Sequence, residues 1–513
     1  MKNRDYYFEI ALTAALLIVS FYLFKLPVKH IPILFYDDAE LSYHSFSIAS
    51  GKIPYLDDQS HHFLGYTLPL IIWGKLFGFS SYLVRSYAMF NQVLVGLGIL
   101  ILVRPPTSFF WSLIAALLYI SAREPWVPGF PIQNEINLLI VAILFTLHSS
   151  NKSCTKERLT MASFLAGIAF IFDQRALLLV IIPVFEIFSS ESNEINKARM
   201  IVLSKALLAW AIAPASVLFW LWKNSALTSF IEQTFIFPSR YRVGSFSLLD
   251  SLRQGLSLHS FLFSFSYMLT CLGILGYLAL FTPQVKRIIS PNFRRSLLLM
   301  PFLLFPMAAI GGRNYDYYTT IWLPLLAILS AILGLYASRT SWRLQTCFAI
   351  LYCMALLPPY SNSIMLKRSG HFDPFTTDGS YETAGFLKSN MAPTDTLFVW
   401  GYRMDMYLLT QKLSHFPFVN QLFIHPDRKI TGPYRSKHIY PKHEELFLKS
   451  LRENPPTYLI YFEREEEKEL PSKSLTILKN TIQNRYKQVF ETSNRDYLGS
   501  NPRFHVYKLL TKP

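Results

Sequence analysis

Apolar residues gather in runs along this chain, at 8–26, 82–103, 109–122, 136–148, 159–172, 176–188, 200–222, 261–281, 296–310, 319–337 and 344–358. A helix needs roughly 20 such residues to cross a hydrocarbon core of about 30 Å, and several of these runs are short for a full crossing. The pattern predicts a polytopic α-helical membrane protein with about 11 transmembrane helices. Basic residues test its orientation. With the N-terminus in the cytoplasm, the loops on that side hold Lys2 and Arg4, Arg104, then Lys152, Lys156 and Arg158. Lys197 and Arg199 follow, then Lys286, Arg287, Arg294 and Arg295, and finally Arg339 and Arg343. Each of these loops is basic, as the positive-inside rule requires. One further apolar run, 64–79, contains Pro69, Gly74 and Lys75 and would invert the parity if it crossed. It reads as an interfacial helix on the outer surface, with Lys75 reaching toward the headgroups.

Beyond residue 358 the runs give way to shorter alternations. These predict a helix over 381–390, a strand over 396–400, a helix over 403–410 reached through Gly401, and a buried strand over 458–462. Residues 488–491 and 505–509 read as a closing hairpin. The acidic run 463–469 reads as a solvated face. The expected division is therefore 1–358 as a transmembrane domain, with 28–81 as its first outside loop, and 359–513 as a soluble α/β domain. An odd number of crossings leaves that C-terminal domain extracytoplasmic.

Composition narrows the class. With 513 residues, 51% hydrophobic and 16% charged, the chain is too apolar for an ordinary soluble enzyme. The net charge of +16 lies in short loops between apolar runs, which fits anionic lipid better than nucleic acid. None of the four cysteines follows Cys353, so the C-terminal part has no disulfide of its own, and no spacing resembles a zinc site. No small-residue cleavage site follows 8–26, so that run reads as a retained span.

The chemistry concentrates in the first outside loop. Asp37, Asp38 and Glu40 follow the first run, and Asp57, Asp58, His61 and His62 come after a turn at 51–54. Acid gathered at a membrane mouth is costly there and points to catalysis or ion binding. Asp37 lies near the membrane end of the first run, where a carboxylate can act as general base on an acceptor. Asp57 and Asp58 can orient the acceptor or, with the histidines, hold a divalent cation. Plainer readings stand beside these. Asp37 and Asp38 suit the cap and first turn of a helix over 39–50. Adjacent histidines rarely converge on one metal. Glu135 and Asp316, at span ends, read as solvated.

The order of these motifs resembles a known family. A first span leads to Tyr36-Asp37-Asp38-Ala39, then Gly51-Lys52-Ile53-Pro54-Tyr55-Leu56-Asp57, then His61-His62. An apolar helix ending Lys75-Leu76-Phe77-Gly78 follows, and Arg85 opens the next span. This is similar to the GT-C class of membrane glycosyltransferases, in the branch that contains protein O-mannosyltransferases and the lipid A aminoarabinose transferase. Gly167 to Gln174 resembles the small-residue segment of that branch, with Asp173 where lysine is usual. Residues 311–318 resemble its His-Tyr signature, with Tyr317 in place of the histidine. Pro393 to Gly401 is similar to the first strand of its outside domain.

The resemblance implies transfer of a sugar from a polyprenyl-phosphate-linked donor to a glycan, lipid or protein acceptor outside a bacterial inner membrane. By that likeness Asp37 matches the catalytic aspartate, and Asp38 takes the place of the usual glutamate. Cations should stabilise the departing lipid phosphate. The candidates are Arg175, Arg240, Arg242 and Arg313, with Lys52 and Lys75 behind them. Tyr241 and Tyr317 are candidates to pack against the sugar or the prenyl chain. Two other functions compete: a transporter or flippase of lipid-linked glycans, and a non-catalytic membrane scaffold. The chain shows no internal repeat, and few of its span interiors carry charge, which disfavours the transporter.

Overall fold

The structure is a computed structural model that describes residues 3–30, 36–80, 83–122, 133–148, 155–189, 196–238, 248–310, 316–368, 379–419, 424–425, 441–464, 472–493 and 502–510. Two compact units account for the chain. One combines Met1–Lys29, Ser86–Phe219 and Gly244–Arg368; the other combines His30–Arg85, Trp220–Val243 and Ser369–Pro513.

The described residues of the first unit form helices joined by short turns. Its segments lie within helices Asn3–His30, Leu83–Val103, Phe109–Ser121, Gln133–His148, Lys156–Phe172, Ile181–Ser189, Asn196–Lys223, Leu248–Ala279, Pro291–Ala309, Leu323–Thr340 and Trp342–Arg368. These coincide with the apolar runs. Two runs begin as tighter 3-10 turns, Gln174–Val180 and Asp316–Trp322. Local chemistry sets several starts. The Thr155 hydroxyl accepts from the Arg158 N–H, and Ser290 caps a helix whose first residue is Pro291. Helix Leu248–Ala279 begins well before the run at 261 and bends at Ser266, whose φ of −134° and ψ of 38° are not helical.

Helix Leu323–Thr340 is buried along almost its whole length. Helix Leu248–Ala279 packs closely on it: a Cβ on Gly276 would meet the Leu329 carbonyl oxygen at 1.9 Å, so a larger residue would force the pair apart. Helix Asn196–Lys223 is the opposite case, with Met200, Leu208, Ile212 and Phe219 all exposed. An apolar helix so uncovered is at home in hydrocarbon, not in water. Among the described residues, three helical stretches are long and apolar enough to cross a membrane: Ser86–Val103, Ala198–Lys223 and Tyr317–Thr340. Tyr7–Ser20, Leu64–Phe77, Phe109–Ser121, Asn134–His148 and Ser266–Ala279 are apolar but shorter.

The second unit is built on a four-stranded sheet, ordered β1-β2-β4-β3, with strands Leu397–Trp400, Tyr458–Arg464, Tyr486–Ser493 and Pro502–Leu509 for β1 to β4. β1 runs parallel to β2, pairing Val399 with Ile460, and the other pairs are antiparallel. β3 and β4 form the hairpin, longer than the sequence indicates and carrying a bulge between Gln488 and Phe490. Strand alternation sorts side chains between two layers. Phe398, Trp400, Leu459 and Tyr461 face helices Pro441–Glu453 and Lys473–Arg485, which present Phe447, Leu451, Leu475 and Leu478. Leu397, Val399, Tyr458, Ile460 and Phe462 face the other way. There they meet Ala384 and Leu387 of helix Ser380–Asn390, Met406 and Tyr407 of helix Asp405–Thr410, and Ala39 and Tyr43 of helix Tyr36–Ala49.

A helix from the first loop thus joins the core on one side of a sheet formed more than 350 residues later, packing on helix Asp405–Thr410. At the end of β1 the chain turns through Gly401, with φ of +117°, where a Cβ would lie 2.9 Å from that of Phe462.

Candidate active site in the first loop

Helix Tyr36–Ala49 begins earlier than the sequence indicates, so Asp37 and Asp38 fall in its first turn. Asp38 is buried. Residues four apart share a helix face, and two such pairs decide this helix's placement. Ala39 and Tyr43 turn to the sheet core. The Tyr43 hydroxyl accepts from the Ser414 N–H at 2.9 Å, and its ring centroid lies 4.9 Å from that of Tyr407. Glu40 and His44 form the second pair, and both are buried.

A chain of polar contacts runs through that second pair. Nδ1 of His44 meets Oδ2 of Asp58 at 2.7 Å, and its Nε2 meets Oε1 of Glu40 at 3.3 Å. The Tyr402 hydroxyl donates to Oε2 of Glu40 at 2.8 Å. Burial alone would lower the imidazole pKa, but the charge and hydrogen bond of Asp58, with those of Glu40, raise it to about 10. His44 is therefore an imidazolium held between two carboxylates. For Glu40 burial pushes upward, yet the hydrogen bond from His44 and the charges of His61 and His62 prevail and hold its pKa far below the carboxylate range.

The segment 51–62 closes over this chain by its own turn chemistry. Gly51 starts the turn with φ of +91°. The Asp57 carboxylate, exposed, accepts the Ile53 N–H at 2.9 Å. Tyr55 adopts φ of +68°, unusual for a bulky residue and costly unless its surroundings enforce it. They do. Its N–H donates to the Asp58 carbonyl at 2.8 Å, and its hydroxyl donates to the His62 carbonyl at 2.8 Å. Its own carbonyl accepts from Nε2 of Gln233 at 2.7 Å, while Oε1 of Gln233 accepts the Ser60 N–H at 3.0 Å. Gln233 lies in a single π-helical turn, Glu232–Ile236, between the apolar runs 200–222 and 261–281. Such turns are frequent at functional sites.

His61 and His62 end this segment, with ring centroids 4.0 Å apart. Nδ1 of His61 lies 3.8 Å from Oε1 of Glu40. One ligand atom from each of Glu40, His61 and His62 falls within 4.8 Å of the others.

Of the residues singled out from sequence, Asp58, His61 and His62 come together here, in the same unit as Asp37 and Asp38. Asp57 serves the turn instead. Lys52 is half-buried in that turn, and Lys75 is exposed on helix Thr67–Phe77 beside the exposed Leu76 and Phe77. Arg175 and Tyr317 belong to the helical unit. The Arg175 guanidinium binds both oxygens of Asp173, Nε at 2.9 Å from each, and stacks 4.1 Å from the Tyr318 ring centroid. Tyr317 packs edge-on against Tyr318, and a small pocket lined by Asp173, Arg175, Tyr318 and Ile136 adjoins the pair. Arg240, Tyr241, Arg242 and Arg313 lie outside the described residues.

Glu40 stood among the acids of the loop without a role, and His44 and Tyr402 were missed. Glu40 and His44 carry the spacing of a helical pair, which was available in the sequence; Tyr402, at a distance of 362 positions from Glu40, left no local signal. Glu135 is buried and not solvated: it accepts from the Tyr87 hydroxyl and from Nδ2 of Asn91, the latter at 3.1 Å.

No protein-family model matches the chain, and no curated protein matches it by sequence. Solved structures do match. ArnT from Cupriavidus metallidurans in the apo state superposes with a TM-score of 0.59 over 97% of this chain and 97% of that one, at 10% identity. The same enzyme bound to undecaprenyl phosphate gives 0.54 over 98% of each, at 12% identity. The oligosaccharyltransferase AglB from Archaeoglobus fulgidus, in complex with an inhibitory peptide and a dolichol-phosphate, gives 0.50 over 90% of this chain and 70% of that one, at 13% identity. What they share with this chain is the fold, and it is the GT-C architecture.

Proposed function

We propose that this protein is a membrane glycosyltransferase that moves a sugar from a polyprenyl-phosphate-linked donor to an acceptor on the extracytoplasmic face. The observation that carries the reading is an acid-led helix, Tyr36–Ala49, in the first loop of a chain whose fold matches ArnT over nearly its full length. Undecaprenyl phosphate in one of those ArnT structures supports the choice of donor class.

In this reading Asp37, in the first turn of that helix, takes the proton from the acceptor as its oxygen or nitrogen attacks the anomeric carbon. The bond from the acceptor atom to that carbon forms as the carbon–phosphate oxygen bond breaks, and the polyprenyl phosphate departs with the electron pair. Asp38 sits beside the base and assists its orientation. Phosphate charge develops as the bond breaks, so cations aimed at it lower the barrier. Arg175 is the described candidate. Its fork already binds Asp173, so recruiting it to phosphate means exchanging one anion for another. Arg240, Arg242 and Arg313 are the remaining arginines proposed for that role.

The test is direct. The reconstituted full chain, offered a panel of polyprenyl-phosphate sugars and envelope acceptors, is assayed by mass spectrometry beside Asp37→Asn. Transfer by the parent, and a loss of at least about 100-fold in the variant with unchanged thermal unfolding, is expected for loss of a general base. Equal transfer by both would remove Asp37 from the mechanism. Movement of the lipid-linked sugar across the vesicle membrane without transfer would replace the enzyme with a flippase.

A further inference from the structure

We propose that Glu40, His61 and His62 form a binding site for one first-row divalent metal ion of the zinc type, with His44 and Tyr402 as the groups that hold Glu40 in place. The proposal deepens the transferase reading by assigning the first loop a resident cation. Its test does not depend on transfer.

Ligand chemistry comes first. Two imidazoles and one carboxylate make a set that catalytic zinc sites use, with the fourth position left to water or substrate. Imidazole also favours zinc and its neighbours over magnesium or calcium, which prefer all-oxygen cages. This differs from a cation held by the Asp57-Asp58 pair: Asp57 is committed to Ile53, and the two histidines enter with Glu40 instead.

Geometry comes second. Metal–ligand bonds of about 2.1 Å at tetrahedral angles place ligand atoms roughly 3.4 Å apart. Here Nδ1 of His61 is 3.8 Å from Oε1 of Glu40, and all three ligand atoms lie within 4.8 Å of one another. A contraction below 1.5 Å brings them to bonding distance. At 3.8 Å the His61–Glu40 contact is too long for a hydrogen bond. The histidines are adjacent in sequence, which normally splays their rings, yet these lie 4.0 Å apart and tilted by only 37°. The strained Tyr55 enforces that arrangement through its hydrogen bond to the His62 carbonyl, and the Ser60 hydroxyl takes the His62 N–H at 3.2 Å.

Outer contacts and charge come third. Ligating carboxylates are themselves hydrogen-bonded in working sites. Glu40 has Tyr402 on one oxygen and His44 on the other, and His44 is balanced in turn by Asp58. The Asp58 carboxylate lies one contact behind Glu40, across His44. Glu40 is fully buried while the His61 side chain is 17% exposed, so the cluster is reachable from the His61 side.

The full-length protein, purified in detergent and stripped with chelator, is titrated with zinc by calorimetry and with cobalt by its visible absorption. One equivalent per chain is expected, with a tetrahedral cobalt spectrum. The His61→Ala/His62→Ala double variant should lose that equivalent. Tyr402→Phe, which keeps every ligand, should weaken it by roughly 10- to 100-fold, as outer-contact losses do. His505→Ala, on β4, should bind as the parent does. If Tyr402→Phe unfolds, His62→Gln serves as the second variant, with metal-free unfolding midpoints as the control. No stoichiometric binding by the parent, or binding unchanged in the double variant, overturns the site. Binding without sugar transfer would instead leave the site standing and count against the transferase.

Discussion

Asp57 and Asp58 are neighbours of the same type with opposite fates. Asp57 is exposed and satisfies one backbone N–H, while Asp58 is buried against an imidazolium. Their energetics should differ accordingly. Removing one member of a buried ion pair strands the other charge and costs roughly 3–5 kcal/mol, whereas exposed turn acids matter little. Asp58→Ala is therefore expected to lower the unfolding midpoint strongly and Asp57→Ala only slightly, as followed by tryptophan fluorescence or calorimetry. Comparable effects of the two would contradict the buried chain. At this scale the sequence was only partly legible. It marked the loop and its acids. The choice between the two aspartates depends on a turn that includes a tyrosine at positive φ, and the clamp on that turn comes from Gln233, 173 positions from Ser60.

Elements were legible where their apolar pattern is local. Helices over the long apolar runs, β1 at the Leu397–Trp400 run and the β3–β4 pair all fall where periodicity points. Helices Pro441–Glu453 and Lys473–Arg485 did not stand out, because they are charge-rich and reveal their apolar stripe only against the sheet. The deeper surprise is the assignment of helix Tyr36–Ala49 to the sheet core. Nothing in Tyr43 says that its partner is Tyr407; only tertiary packing does. This packing makes a prediction about independence. Expressed alone, residues 369–513 lack the helix that packs on Tyr407 in this core, and should expose apolar surface. The fragment is expected to bind hydrophobic dye and give poorly dispersed amide spectra. Co-expression with residues 30–85 should improve both. A well-dispersed, dye-negative fragment would mean that the sheet needs no first-loop helix.

For the whole molecule, the membrane reading rests on apolar helices that leave large side chains uncovered, above all Asn196–Lys223, and on the basic loops that orient them. The proposed topology rests on those loops alone and is checked at the exposed Asp57. Asp57→Cys, in a background where Cys154, Cys271, Cys347 and Cys353 are replaced by alanine, should react in intact cells with a membrane-impermeant maleimide. Labelling only after the membrane is broken would put the first loop on the cytoplasmic side and remove the acid helix from any extracytoplasmic chemistry.

The most direct measurement concerns the donor. Polyprenyl-phosphate sugars are extracted from cells with the protein, without it, and with Asp37→Asn in its place, and are quantified by mass spectrometry. One such lipid should accumulate to the same degree in the deletion and in Asp37→Asn, and return to its basal level with the parent chain. Identical lipid profiles in all three strains would contradict a transferase that consumes a polyprenyl-linked sugar through the first loop.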